Sequence, residues 1–278
     1  PHFWRAPHHN DDFWANEGWK RCGLRTLLWT PLGASVTRLS SSAVRVEANN
    51  HGGGRRGFGI NHAAVYTVLG DGTIVIDNAL SFQGPRIALA RAGLRLFLDK
   101  RHDRVSYLGR GPMENYNDRK RGSAVILHSG WVADELTPYA KPMECGNHED
   151  VRWMAVADPS GSGLLAVAGD GLMQASALPY SDEILEPPEY SCDLPPSQST
   201  VLVVAARTLG VGSAACGPHP LPGYIPYADP VRFTVVLRLL GGKTRDAGAL
   251  ARFSLPARPL PPAASRVEKG CVTPAHIR

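Results

Sequence analysis

Short stretches in which apolar and polar side chains alternate, each closed off by glycine or proline, constrain this chain more than any other feature. Ala43-Val44-Arg45-Val46-Glu47 and Leu94-Arg95-Leu96-Phe97-Leu98 alternate with the strand period, which puts their apolar side chains on one face. Residues 64–69 and 73–76 flank Gly70-Asp71-Gly72 and spell a hairpin. Gly52-Gly53-Gly54-Arg55-Arg56-Gly57 lacks the Lys-Ser/Thr of a phosphate loop and reads as another sharply turning hairpin. Val201-Leu202-Val203-Val204-Ala205 is the short β-branched run of a buried strand. Residues 231–240, with Phe233, Val235 and Leu237 alternating, close the β region. Further strands are predicted over 87–89, 105–108, 151–156, 164–168 and 173–177, with residues 158–163 turning the chain between the third and fourth of these. One short helix is predicted, over 13–21. Many short strands with few helices specify an all-β, antiparallel β-sandwich.

The chain has 278 residues, enough for a real core without a disulfide scaffold. One β domain is predicted over 1–240. After Gly241 the pattern dissolves, and Ser254-Leu255-Pro256-Ala257-Arg258-Pro259-Leu260-Pro261-Pro262 marks 241–278 as a Pro-rich tail, extended or disordered. The net charge is +5, but the basic residues are scattered. Their densest run, Arg119-Lys120-Arg121, has no aromatic stacking ladder beside it, so no nucleic-acid partner is expected. Cys22, Cys145, Cys192, Cys216 and Cys271 form no CxxC pair, which argues against zinc or thioredoxin chemistry and for a reducing, cytoplasmic setting. No apolar run approaches a membrane span. The opening Pro1-His2-Phe3-Trp4 reads as the start of a fragment or of a processed piece.

Two regions interrupt the alternation. Residues 107–153 concentrate aromatics, amides, carboxylates and basic groups, as expected of a long ordered loop system carrying a site or an interface. A glycosidase needs two carboxylates across the scissile bond, and Glu114, Asp118, Glu144 and Asp150 all lie here. Each also has a structural account: Asn115 and Asp118 fix turns, and Arg119 or Arg152 pairs a neighbouring carboxylate. Trp131, Tyr139, Trp153, Asn115, Asn147 and Glu114 supply the aromatic and hydrogen-bonding mixture that suits a sugar, although Trp153 sits in an apolar strand and reads as core. His148 reads as a hydrogen-bonded histidine. Residues 1–23 form the second region. They present His8, His9, Asn10, Asp11 and Asp12, either to a ligand or as an exposed loop anchored by Phe3, Trp4, Phe13 and Trp14.

Several motifs stand in order along the chain. Phe3-Trp4-Arg5-Ala6-Pro7 followed by Asn10-Asp11 resembles the FxRAPxxND motif of the large lac-type β-galactosidases, glycoside hydrolase family 2. Tyr107-Leu108-Gly109-Arg110-Gly111-Pro112 with Glu114-Asn115-Tyr116 and Asp118-Arg119 is similar to their LGxGPxENYxDR motif. Thr137-Pro138-Tyr139, Pro142, Glu144 and Gly146-Asn147 resemble their TPYxxPxENGN segment, with Cys145 in place of Asn. The loop from Gly210 to Pro218 is similar to a late glycine loop of the same family.

The resemblance is to the C-terminal domain, or small chain, of these enzymes. It implies a galactose-mutarotase-like β-supersandwich that forms one wall of a galactoside site. It also implies that the acid/base and nucleophile glutamates of a retaining hydrolase lie in a TIM barrel outside this sequence. No residue here is then catalytic. The resemblance points to His8, Asn10, Asp11 and Cys216 as substrate-side residues, with Cys216 where well-known members carry a Trp. It implies a galactoside substrate, a catalytic barrel or large subunit as partner, and an oligomeric parent enzyme. No cofactor is expected in this chain, Mg and Na being left to the barrel. Two other readings are a stand-alone carbohydrate-binding sandwich and a mutarotase-type epimerase using His148 with Glu144 or Asp150.

Overall fold

The computed structural model describes residues 1–12, 14–241 and 246–252. Thirteen strands form two antiparallel sheets. The large sheet has nine strands in the order β1-β2-β3-β4-β13-β10-β9-β6-β7. Its members are β1 (Leu28–Ser40), β2 (Ala43–Gly53), β3 (Gly59–Leu69), β4 (Ile74–Gln83), β6 (Arg104–Gly111), β7 (Ala124–Trp131), β9 (Trp153–Ala157), β10 (Gly163–Ala168) and β13 (Val231–Leu240). The small sheet has the order β5-β12-β11-β8, built from β5 (Arg91–Asp99), β12 (Ser199–Thr208), β11 (Met173–Leu178) and β8 (His148–Val151). The expected all-β sandwich is therefore present.

The main core lies between the sheets. Ile60, Ile76, Leu80, Phe233, Val235 and Leu237 meet Ala92, Ala175, Leu202 and Val204 there, joined by Phe3, Trp4 and Trp19 from the N-terminal segment. Alternation explains why β5 contributes Ala92 and Leu94 to this core while Arg91 and Arg95 point to the opposite face. A second cluster, Val75, Trp153, Ala155, Leu165, Val167 and Val236, lies on the far face of the large sheet. Trp153 is thus a core aromatic, as read. A third, Ala6, Cys145, Leu178 and Leu185, joins the N-terminal segment to the outer face of the small sheet.

The hairpins at 52–57 and 70–72 fall where the glycines place them: Gly53 pairs with Gly59, and Gly72 takes φ 84°. The short helix is α2 (Ala15–Cys22), preceded by one turn, α1 (His9–Asp12). Four expectations need correction. Residues 87–89 do not form a strand; Ala88 makes a single bridge to Tyr227, and Pro85 just upstream has no N–H to extend a ladder. Residues 151–156 are not one strand. The chain changes sheets at Arg152, with Val151 pairing Met173 of β11 and Trp153 pairing Val167 of β10. The stretch 107–153 is not loop throughout, because β7 forms the edge of the large sheet within it. Beyond Gly241, α4 (Ala247–Ala251) is capped by the Asp246 carboxylate on the Gly248 N–H (2.8 Å) and packs Ala247, Leu250 and Ala251 on the second cluster. The Pro-rich stretch 254–262 and Phe13 lie outside the described residues. Among the described residues no helix is long and apolar enough to cross a membrane.

Candidate functional site

Three segments distant in sequence converge at one end of the sandwich: residues 2–12, residues 114–119 and the loop 209–219. Arg5 is the hub. It is wholly buried, and its guanidinium donates to Asp11 from Nε to Oδ2 (3.0 Å) and from Nη2 to Oδ1 (2.7 Å). Its Nη1 donates to the Leu209 carbonyl (2.7 Å) and its Nη2 to the Gly210 carbonyl (3.2 Å). A planar fork with only donors suits this arrangement, because carboxylate and carbonyls are all acceptors. Arg5 Nη2 also donates to His8 Nε2 (3.1 Å). The His8 ring is therefore neutral with its proton on Nδ1, an atom with no hydrogen-bond partner. Burial, then the charges of Arg5 and Arg119, push His8 down to about 2.

Asn10 closes the two loops on each other. Its Nδ2 donates to the Gly212 carbonyl and its Oδ1 accepts from the Ala215 N–H, both at 3.0 Å. Asp118 accepts the Gly212 N–H from behind (2.7 Å), and Asn117 donates to the Thr208 and Tyr224 carbonyls (3.0 and 3.1 Å). Gly210 permits this closeness, since a Cβ there would lie 2.7 Å from the Asp118 carboxylate. The Trp14 and His219 rings meet at 5.0 Å beside the loop. Cys216 is exposed on that loop, with its N–H donating to the Ser213 carbonyl (3.0 Å).

The four residues singled out are therefore brought to one place but in different settings. Asn10 and Cys216 lie at the surface of the joined loops. His8 and Asp11 lie beneath them, and Asp11 has both carboxylate oxygens on Arg5. Arg5, Asn117 and Asp118 complete the construction; none was among the expected substrate-side residues, although Arg5 and Asp118 stand in the motifs and Asp118 reads from sequence as fixing a turn. Arg5 had one sequence signal, a lone cation set between Trp4 and Ala6-Pro7.

The candidate carboxylates Glu114, Glu144 and Asp150 of the 107–153 stretch are held by partners. Glu114 takes Arg119, the Thr137 hydroxyl (3.0 Å), the Tyr139 hydroxyl (2.5 Å) and the Gly146 N–H (2.7 Å). Glu144 is buried against Arg91 and the Tyr116 hydroxyl (3.2 Å). Asp150 takes Arg110 (2.5 Å) and Lys120 (2.7 Å). His148 is wholly buried, with Nδ1 on the Arg110 carbonyl (2.9 Å) and Nε2 on Glu135 (2.7 Å). The pairing of His148 with Glu144 or Asp150 that an epimerase reading needs is absent; Glu135 takes that place. Asp182 joins the network, with His2 at 2.9 Å and Arg95 at 3.4 Å. Burial alone would raise its carboxyl, but Arg91 and the His2 hydrogen bond outweigh that and hold it well below the usual carboxylate range. Between Pro112-Met113, Thr137-Pro138-Tyr139 and β7 lies an open groove lined also by Glu114, Arg119, His128 and Glu135. Among the described residues no group of three or more His, Cys, Asp or Glu is placed to hold a metal ion.

Comparison with known proteins matches residues 1–237 to the family described as Beta galactosidase small chain. A β-galactosidase of Priestia megaterium is 37% identical over 147 residues, 53% of this chain and 14% of that protein. One from Lactobacillus delbrueckii subsp. bulgaricus is 35% identical over 149 residues, again 53% and 14%. One from Actinobacillus pleuropneumoniae is 26% identical over 222 residues, 78% of this chain and 21% of that protein. The chain thus spans well under a quarter of the length of these relatives.

Proposed function

The chain belongs to the β-galactosidase small-chain family, and from that premise we propose that it is the small-chain domain of a lac-type, family 2 enzyme that hydrolyses terminal β-D-galactosides. In this reading it forms one wall of the active site, and the catalytic glutamates lie on a barrel domain or large subunit outside this sequence. The observation that carries the proposal is the Asn10 clamp, which holds the 8–12 and 210–216 segments as one surface with Cys216 at its edge.

The chain's own contribution is positional. Arg5 fixes the carbonyls at 209 and 210, Asn10 fixes the loop above them, and Asp118 fixes its back. Side chains hydrogen-bonded to the loop backbone in this way hold it at little entropic cost when substrate arrives. The carboxylates at 114, 144 and 150 each carry a cation or several donors, so they serve as scaffold in this reading and supply no acid or nucleophile.

A nitrophenyl galactoside assay tests the proposal. The isolated chain is expected to show no turnover, and the same chain assembled with its catalytic partner is expected to be active. Robust turnover by the chain alone overturns it. In the assembled enzyme Asn10→Ala is expected to raise KM, because it releases the wall loop without touching the reacting groups.

The groove between Pro112-Met113 and Thr137-Pro138-Tyr139 supports a second reading, a stand-alone sugar-binding sandwich. Calorimetry of the isolated chain with galactose and lactose separates the two: saturable heat favours this second reading, and silence favours the first.

A further inference from the structure

Residues 3–8 carry Arg5 to the loop 209–219, yet they belong to no strand. His2 bridges Gly93 of β5, and from there the segment leaves the ladder. Its buried backbone groups must find partners elsewhere. At Ala6 they do so on both sides. The Ala6 N–H donates to Asp182 Oδ1 (3.1 Å), and the Ala6 carbonyl accepts the Glu144 N–H (2.9 Å). The Ala6 methyl is wholly buried and packs with Cys145, Leu178 and Leu185.

Asp182 opens the one-turn helix α3 (Asp182–Leu185), which stands in none of the sequence motifs. The same helix supplies Leu185 against the Ala6 methyl. The Asp182 carboxylate is itself fixed. Its Oδ2 takes His2 Nε2 (2.9 Å) and Arg95 Nη1 (3.4 Å), and Arg91 lies 3.7 Å from Oδ1. Arg95 also has Glu183, and Arg91 also has Glu144, so three carboxylates share the pairing of these two cations. The bond to the Ala6 N–H belongs to Asp182. Ala6 adjoins Arg5, whose guanidinium is committed to Asp11 and to the carbonyls at 209 and 210. A shift of the backbone at Ala6 therefore reaches the loop through Arg5.

We propose that Asp182 is a positioning residue: by holding Ala6 it sets where Arg5 stands, and through Arg5 it orders the loop 209–219. The inference rests on the small-chain reading above in one respect, that this loop is a wall of a galactoside site. What acts on Ala6 is the place of the acceptor oxygen rather than its charge, since the cations at 91 and 95 keep other carboxylates. An amide oxygen at the same place holds the Ala6 N–H as well. A carboxylate one methylene further out does not, because a hydrogen bond weakens steeply once its distance and angle are lost.

Native-state hydrogen exchange in the full chain tests this without substrate. The Gly212 amide, bonded to Asp118, and the Ala215 amide, bonded to Asn10, report the loop, while the Leu202 and Val204 amides of β12 report the core. Asp182→Asn keeps an acceptor at Ala6 and removes the charge, whereas Asp182→Glu keeps the charge and moves the acceptor. Asp182→Glu is expected to speed exchange at Gly212 and Ala215 about tenfold, and Asp182→Asn to stay within about twofold of the wild-type rate. Glu183→Gln, which releases Arg95 without touching Ala6, is expected to leave both amides unchanged. Wild-type loop exchange in Asp182→Glu overturns the proposal, even where the β12 amides exchange faster, because that is the mark of a residue that only stabilises the fold. Faster loop exchange in Asp182→Asn or Glu183→Gln also overturns it, by assigning the order of the loop to the ion network. In the assembled enzyme Asp182→Glu is expected to raise KM for a nitrophenyl galactoside and to leave kcat unchanged. A loosened loop with KM unchanged supports the anchor and counts against the wall reading, so the two failures stay distinct.

Discussion

Arg5 carries a full charge while wholly buried, and the acceptors around it explain how. Two Asp11 oxygens and two backbone carbonyls replace its hydration shell. Removing one member of such a buried pair leaves the other uncompensated. Asp11→Asn is therefore expected to cost about 3 kcal/mol in a urea titration. Asn10→Ala, at the partly exposed end of the same construction, is expected to cost about 1 kcal/mol. His8 sets a pH dependence of known sign. Its folded pKa lies below the unfolded value, so between about pH 6.5 and 2 the unfolded chain binds the extra proton and stability falls as pH falls. His2 and His62, also lowered chiefly by burial, act in the same direction. The urea midpoint is expected to drop between pH 7 and 5, and to drop less steeply in His8→Gln.

Elements here take their positions from tight backbone approaches as much as from propensity. Gly146 adopts φ 68°, and a Cβ on it would lie 2.7 Å from the Glu135 carbonyl and 2.8 Å from Leu178. Its N–H also holds Glu114. Gly146→Ala is expected to destabilise the fold by about 2 kcal/mol or more in chemical denaturation and to loosen the Glu114–Tyr139 contact. The short helix α4 is an element without long-range pairing, held by its Asp246 cap and its apolar side on Trp153, Leu165 and Val236. Leu250→Asp is expected to lower the urea midpoint, because it places a charge on that cluster. Asp246→Ala is expected to cost about 1 kcal/mol, read the same way.

At the scale of the molecule, the sandwich consists of two sheets of unequal width, and at Arg152 the chain passes from one to the other across a single residue as it leaves β8 for β9. The unequal width leaves β1 and β2 extending past the small sheet, and the N-terminal segment meets the loop 209–219 at one end of the sandwich.

The alternation at 43–47, 94–98 and 231–240 and the glycines at 52–57 and 70–72 were enough to specify an antiparallel all-β sandwich, since side-chain period and turn geometry are local properties. The ordered motifs likewise picked out the N-terminal segment and the loop 210–218, which the fold brings into contact through Asn10. What the sequence left open was non-local. The split at Arg152 depends on which strands flank each half, and β7 was obscured because an edge strand with both faces partly wet shows no clean alternation. Asp11 reads like Asn10 in a polar run, yet one is buried on Arg5 and the other clamps the neighbouring loop. Only the packing of segments some two hundred residues apart decides that difference, because burial and partners are properties of the folded arrangement and not of the residues themselves.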